Sequence, residues 1–254
     1  MKVYFLGTGT SQGIPVIGSD HPVCLSTDLK DKRLRTAALL KIGAVTIGID
    51  CGPDFRQQML NAQCKSLQAL IFTHEHADHT AGLDDIRPFN FMQGPMPIFA
   101  EQRVVDNLKE RFGYIFETEN RYPGAPSVIT HVINKDEAFF IDNVKIEPIR
   151  ALHGWLEIFG FKIDNFAYLT DVKTIATEQS NKLKDLDVLV INALRITHHD
   201  THFSLDEALE FIQLIKPKKA YITHISHLLG FHEEVQAQLP NNVFLAYDNL
   251  EIEI

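Results

Sequence analysis

Residues 67–79 read Leu67-Gln68-Ala69-Leu70-Ile71-Phe72-Thr73-His74-Glu75-His76-Ala77-Asp78-His79. A mostly apolar run of strand length, Leu67–Phe72, delivers three imidazoles and a carboxylate, all within residues 74–79, at its C-terminal end. Neutral imidazole and carboxylate together suit zinc, manganese or iron. A set without thiolate fits a site that keeps a position open for water rather than a closed structural one. A surface loop that is merely histidine-rich would have no reason to follow a buried strand.

Outward from this segment, short apolar β-rich runs bounded by Gly, Asp, Asn and Pro predict strands. They are Val3–Leu6, Leu39–Ile42, Val45–Ile49, Pro97–Ala100, Val128–Ile133, Ala138–Ile141, Val144–Ile149, Ile158–Ile163, Phe166–Leu169, Val188–Ile191, Ala220–Thr223 and Val243–Ala246. Helical periodicity predicts helices over Gln102–Phe116 and Leu205–Ile215, the second opened by a Ser204/Glu207 capping box, with shorter ones over Asp54–Leu60 and Glu233–Leu239. No linker-like stretch divides the chain, which reads as one unit over 1–254; the Gly/Pro-rich Tyr122–Ser127 is too short to serve as one. Strand, helix, strand and histidine occur in that order twice: Val45–Ile49 to His74, and Val188–Ile191 to His224. Many strands with interspersed helices predict stacked sheets covered by helices, an α/β sandwich of αββα layering.

Composition narrows the function. The 254 residues carry 24 Lys+Arg against 33 Asp+Glu, a formal net charge of −9, with 45% hydrophobic and 22% charged residues, which excludes disorder, coiled coil and collagen. Long nucleic acid is disfavoured as a partner, because phosphate neutralisation needs a basic surface and the basic clusters are confined to Lys30–Arg35 and Lys216–Lys219. Apolar runs fall far short of the roughly 20 residues that span a bilayer, and three cysteines cannot form a disulfide framework, so the expected setting is the cytoplasm without membrane association.

His74-Glu75-His76-Ala77-Asp78-His79 resembles the H-x-H-x-D-H signature of the metallo-β-lactamase superfamily. The resemblance implies an αββα sandwich with two divalent metal ions, zinc or manganese, at the mouth between the sheets. Residue by residue, it assigns His74, His76 and His153 to the first ion, Asp78, His79 and His224 to the second, and Asp171 as the bridging carboxylate. Asp50 in IGIDCGPD matches the position of an acidic residue that orients the histidine loop, with a plain turn carboxylate as the alternative. True β-lactamases lack the aspartate at the position of Asp171, which argues against antibiotic hydrolysis.

GTGTSQGIPVIG, KDKRLRTAALL, DCGPDFRQQML and GLDDIRPF are similar to one branch, the phosphoribosyl cyclic phosphate phosphodiesterases, densely to about Phe89 and thinly afterwards. This implies hydrolysis of a small, cyclic ribose phosphodiester by a hydroxide shared between the ions, which two close divalent cations generate at neutral pH. The branch places a catalytic histidine before a helix, where this chain has His202 in THFSLDEAL; an imidazole titrating near neutrality protonates or stabilises a leaving alkoxide. Support of the helix N-terminus beside Ser204 is its alternative role, and His198 and His199 read as solvated loop residues. Arg35, Arg56 and Arg87 are candidate phosphate ligands, each equally suited to an ion pair, for example with Asp54 or Asp84. Gly7, Gly9 and Gly13 read as a tight loop rather than a dinucleotide fingerprint, since no helix pattern follows. Where the branch often carries C-x-C-x-x-C, this chain has Ser19-Asp20-His21-Pro22-Val23-Cys24, leaving open whether His21, Cys24 and His227 hold an additional structural zinc or form an unmetallated loop. A thioester hydrolase resembling glyoxalase II and a tRNA 3′-processing endoribonuclease are the alternative activities; a non-catalytic metal scaffold is the non-enzymatic one. Glu117–Ser127 could cover the site or pack against a second copy in a homodimer.

Overall fold

A computed structural model describes residues 1–119 and 121–254; position 120, within the Glu117–Ser127 stretch considered for the homodimer, lies outside the described residues. The strands form two seven-stranded sheets. The first contains β1 (Lys2–Gly7), β2 (Ala37–Ile42), β3 (Val45–Ile49), β4 (Ala69–Ile71), β5 (Met96–Ala100), β6 (Val128–Val132) and β14 (Glu251–Glu253), in the order β14-β1-β2-β3-β4-β5-β6. The second contains β7 (Phe139–Ile141), β8 (Val144–His153), β9 (Leu156–Ile163), β10 (Phe166–Tyr168), β11 (Val188–Asn192), β12 (Lys219–Thr223) and β13 (Val243–Leu245), in the order β13-β12-β11-β10-β9-β8-β7. Each sheet is antiparallel on one side and parallel on the other, changing at β3 in the first and at β10 in the second. The repeated strand–helix–strand order in the sequence corresponds to the two parallel halves.

Side-chain alternation makes the layers. Val3, Phe5, Leu40, Ile47, Ile49 and Ile71 point from the first sheet into a core shared with Phe159, Phe161, Tyr168 and Val190 of the second. The opposite faces, with Leu39, Leu70 and Ile98 on one sheet and Leu189, Ile191 and Ile222 on the other, pack against Val104, Val105 and Leu108 and against Ala208, Phe211 and Ile212 of the covering helices. Three cores therefore separate four layers, αββα. Central strands β3 and β11 are buried along their whole length because helices cover their outer faces and the opposite sheet their inner faces.

Leu205–Ile215 is helical as expected, with both halves of the Ser204/Glu207 capping box formed. The expected helix over Gln102–Phe116 is two, Gln102–Arg111 and Gly113–Phe116, because Phe112 leaves helical geometry (φ −128, ψ 37) ahead of a glycine. A helix over Arg87–Gln93, opened by Pro88 in its first turn, and the edge strand β14 are additional. Polar Glu251 and Glu253 hid β14 from the apolar pattern; it pairs with β1 and adds a Lys2–Glu251 ion pair of 2.7 Å. The strand expected to end at Ile149 runs on to His153, since the β8–β9 hairpin pairs His153 with Leu156. No helix among the described residues is long and apolar enough to cross a membrane.

Candidate metal centre

The candidate ligands lie where strands end. His74 follows β4, His153 ends β8, Asp171 follows β10 and His224 follows β12. All four are buried, with His74 and His224 at 0% and 1% exposure. Asp50, Asp171 and His224 hold left-handed backbone, φ 64, 60 and 54, which turns the chain sharply off each strand and aims the side chain across the sheet mouth.

The rings and carboxylates converge as three overlapping groups that share Asp171, one of them His153, Asp171 and His202. Ligand atoms of Asp78, His79, Asp171 and His224 lie within 4.8 Å of one another, as do those of His74, His76 and Asp171. His153 stands against the second of these, its ring centroid 5.8 Å from that of His74 and 5.1 Å from that of His76. Asp171 divides its oxygens: Oδ1 is 3.4 Å from His79 Nε2 and 3.3 Å from His224 Nε2, while Oδ2 is 3.9 Å from His74 Nε2. Asp78 Oδ2 is 3.3 Å from His79 Nε2.

Outer partners fix the rings. His79 Nδ1 donates to Asp50 Oδ2 at 2.6 Å, and Asp50 also accepts from Thr73 N at 2.9 Å. His153 Nδ1 donates to the Thr201 carbonyl at 2.8 Å, and His74 Nδ1 lies 3.0 Å from Thr73 Oγ1. The Nε2 atoms of His74, His79 and His224 are buried without a hydrogen-bond partner. His74 and His79, held through Nδ1 with Nε2 turned inward onto a shared carboxylate, have the arrangement that metal ligation requires, whereas His224 has no hydrogen-bond partner on Nδ1 either. Charge agrees. Burial opposes ionisation of Asp171, but His224 and His79 hold its carboxyl well below the usual range; burial likewise opposes Asp78, and His79 prevails. Burial lowers His79 in turn, yet Asp171, Asp78 and Asp50 together carry it well above an ordinary histidine. Burial and His79 push His74 well down. Buried carboxylates that charge a neighbouring imidazole in this way fit a divalent cation in its place.

The Beta-lactamase superfamily domain model matches residues 46–225, from β3 through His224, and so contains every one of these candidate ligands. The chain belongs to the β-lactamase superfamily. Among solved structures, this superfamily member superposes with TM-score 0.93 and 38% identity on one described as a new diphosphatase from the PhnP family, covering 100% of this chain and 97% of that one. At that identity and coverage the chain is a member of the same family. Zinc-bound PqqB from Methylobacterium extorquens (TM-score 0.79, 16% identity, 100% of both chains) and the short form of human tRNase Z (TM-score 0.72, 20% identity, 100% of this chain and 99% of that one) share the fold. A curated relative from Porphyromonas gingivalis, named octanoyltransferase, is 40% identical over 253 residues. Those residues are 99% of this chain and 51% of that protein, so the chain spans about half the length of the curated relative it matches.

His202 joins the cluster. Its Nε2 is 3.4 Å from Asp171 Oδ2, its ring is stacked on His224 at 4.9 Å between centroids, and its Nδ1 lies 3.0 Å from Thr201 Oγ1. Burial lowers it to about 4, partly opposed by Asp171, so the ring is neutral at pH 7 rather than titrating near neutrality as the sequence suggested. His199 stands directly behind it, Nδ1 to Nδ1 at 3.3 Å, instead of being a detached loop histidine. Nothing in the local sequence signals that contact or the Thr201 carbonyl.

Arg35 and Arg87 take the ion-pair alternative. Arg35 bonds Asp54 at 3.1 and 3.2 Å, and Arg87 bonds Asp84 at 2.7 and 3.0 Å. Arg56 and Arg87 line a separate cavity of about 410 Å³ behind the Phe55–Asn61 helix, with no candidate ligand in its wall. The residues considered for an additional structural metal make other contacts. His21 Nδ1 accepts from Val23 N at 3.3 Å and caps a short helix, and Cys24 Sγ accepts from Val16 N at 3.5 Å. His21 and His227 meet only as rings, 4.9 Å between centroids, and no ligating group of three among the described residues includes His21, Cys24 or His227.

Proposed function

We propose that this metal-dependent hydrolase cleaves small phosphoric esters, with a cyclic ribose phosphodiester as its leading substrate and a diphosphate next. The observation that carries this is the divided Asp171 carboxylate, one oxygen towards His224 and the other towards His74, with His202 Nε2 3.4 Å away on the same side. Two divalent ions held there would acidify water and polarise a phosphoryl oxygen. The donors are imidazole and carboxylate throughout, which suits zinc and manganese alike.

The chain's own groups supply the rest. With Thr201 Oγ1 donating to Nδ1, the neutral His202 ring carries its proton on Nε2 and presents it to an incoming oxygen. A phosphoryl anion beside that ring favours its protonated form, so the same atom can hand a proton to a leaving alkoxide. Asp50 and the Thr201 carbonyl keep His79 and His153 from rotating during this exchange. The 38% identical diphosphatase supports chemistry at phosphorus. Octanoyl transfer belongs to a relative about twice as long, and no cysteine is among the converging groups found in the described residues.

The test is a substrate panel with protein of measured metal content: a cyclic ribose phosphodiester, bis(p-nitrophenyl) phosphate, a dinucleoside diphosphate, S-lactoylglutathione and an octanoyl thioester. Turnover confined to the phosphorus compounds is expected. Thioester turnover without phosphodiester turnover would overturn the proposal, as would strong salt-dependent tRNA binding with cleavage of tRNA alone.

A further inference from the structure

The candidate ligands of the first ion come from two sheets: His74 and His76 from the loop after β4, and His153 from the β8–β9 hairpin. Their spacing therefore depends on whatever joins that loop to that hairpin. At the root the backbone does so, Phe159 N donating to the Thr73 carbonyl at 3.0 Å. Nearer the tip one side chain does. Arg103, on the Gln102–Arg111 helix, places Nε 3.2 Å from Oε1 of Glu75, the residue between His74 and His76, and donates from Nη2 to the Glu157 carbonyl at 2.7 Å. Glu157 faces Leu152 across the hairpin, one pair before His153 and Leu156. Glu101 holds the same guanidinium from behind at 3.3 Å, and Lys135 links Glu101 (3.2 Å) to Glu157.

We infer that Arg103 is the positioning residue of the first metal site, holding the His74/His76 loop and the His153 hairpin at ligating distance through Glu75 and the Glu157 carbonyl. The planar fork suits this task, since separate nitrogens of one rigid group serve the two segments, Nη2 bonding the Glu157 carbonyl and Nε facing the Glu75 carboxylate. The second group is secured otherwise, by Asp50 on His79 and by Cys51 N donating to the His79 carbonyl at 2.7 Å, and Arg103 touches none of its members. The inference rests on the metal-dependent reading and predicts an asymmetry that reading alone does not: loss of Arg103 weakens one ion and spares the other.

The protein carries its own reporter. Trp155, its single tryptophan, is 90% exposed at the tip of this hairpin, two residues beyond His153. Metal-free full-length protein and its Arg103→Leu variant are titrated with Mn²⁺ and with Zn²⁺ by calorimetry, following Trp155 emission in parallel. In the wild type, two ions bind and the emission responds. In Arg103→Leu, the affinity for one ion is expected to fall roughly 10–100-fold, the usual effect of losing an outer-shell support, with the other ion unchanged and the Trp155 response shifted to the weakened step. Arg103→Lys, which keeps the charge but loses the planar fork, is expected in between. Should Arg103→Leu fold poorly, Glu75→Gln, which keeps size and removes the charge that Arg103 grips, must give the same asymmetry. Wild-type affinities for both ions in Arg103→Leu, or equal weakening of both, would overturn the assignment alone. A wild type that binds no ion would overturn the metal-dependent reading and this assignment with it.

Discussion

Replacing Asp50 by asparagine tests the outer support of the second ion. Asp50 is wholly buried and accepts three contacts through two oxygens: Oδ1 from Thr73 N at 2.9 Å, Oδ2 from His79 Nδ1 at 2.6 Å, and both from the Thr73 hydroxyl at 3.1 and 2.9 Å. An asparagine must put its NH₂ at one of these positions, and both face donors. Turned towards Thr73, it opposes a backbone N–H. Turned towards His79, it forces the ring into the tautomer whose Nε2 bears the proton and cannot ligate. A hydrogen bond to a charged group contributes about 1.5–3 kcal/mol, and tenfold in affinity corresponds to about 1.4 kcal/mol, so Asp50→Asn should weaken the second ion by about 10–100-fold. Competition against a chromophoric chelator measures this, with Thr73→Val as control because it removes only the hydroxyl. An Asp50→Asn protein that folds normally and binds both ions within about twofold of wild type would refute the reasoning.

Three further outcomes are expected. His202→Ala should lower kcat by about 10²–10⁴ on phosphoric esters with metal content unchanged; loss of an ion would make His202 a ligand, an arrangement its grouping with His153 and Asp171 allows. Gly52→Ala would place a Cβ 2.0 Å from the Asp78 carbonyl oxygen, so the ligand loop must move; circular dichroism with metal analysis should show folded protein depleted in the second ion. His232, 4% exposed, is lowered to about 4 by burial and by Arg33. The unfolded ring takes its proton as pH falls through about 6.5 and the folded ring only near 4, so this contribution is complete above 6.5 and up to about 3 kcal/mol is lost across that window. Urea unfolding of wild type and His232→Gln at several pH values checks it: the variant should show a flatter decline, and parallel curves would refute the assignment.

The histidine loop was legible because its chemistry is local: a strand, then imidazoles and a carboxylate within a single turn of chain. His153, Asp171 and His224 are separated from it by most of the molecule, and resemblance alone connected them to it; the structure then brings them together. The Arg35–Asp54 and Arg87–Asp84 pairs were legible as alternatives, but the choice between ion pair and phosphate ligand was not, because it depends on what tertiary packing brings to each guanidinium. His21 and Cys24 show the converse, residues with ligand chemistry spent on a helix cap and a backbone N–H. The layering followed from apolar alternation, whereas β14, whose alternate residues are glutamates, offered no such signal.

The left-handed backbone at Asp50, Asp171 and His224 restricts how this centre can change. Aspartate and histidine are among the few side chains other than glycine that enter that region readily, and they are also metal ligands. Two filters, one on the donor atom and one on φ, thus act on the same positions. Glutamate at 171 or cysteine at 224 would bring an acceptable donor on a backbone that resists it. Drift in metal preference is therefore expected to proceed through residues around the ligands, such as Asp50's neighbour Thr73 or the Arg103 tether, while the ligands themselves stay within a two-letter alphabet.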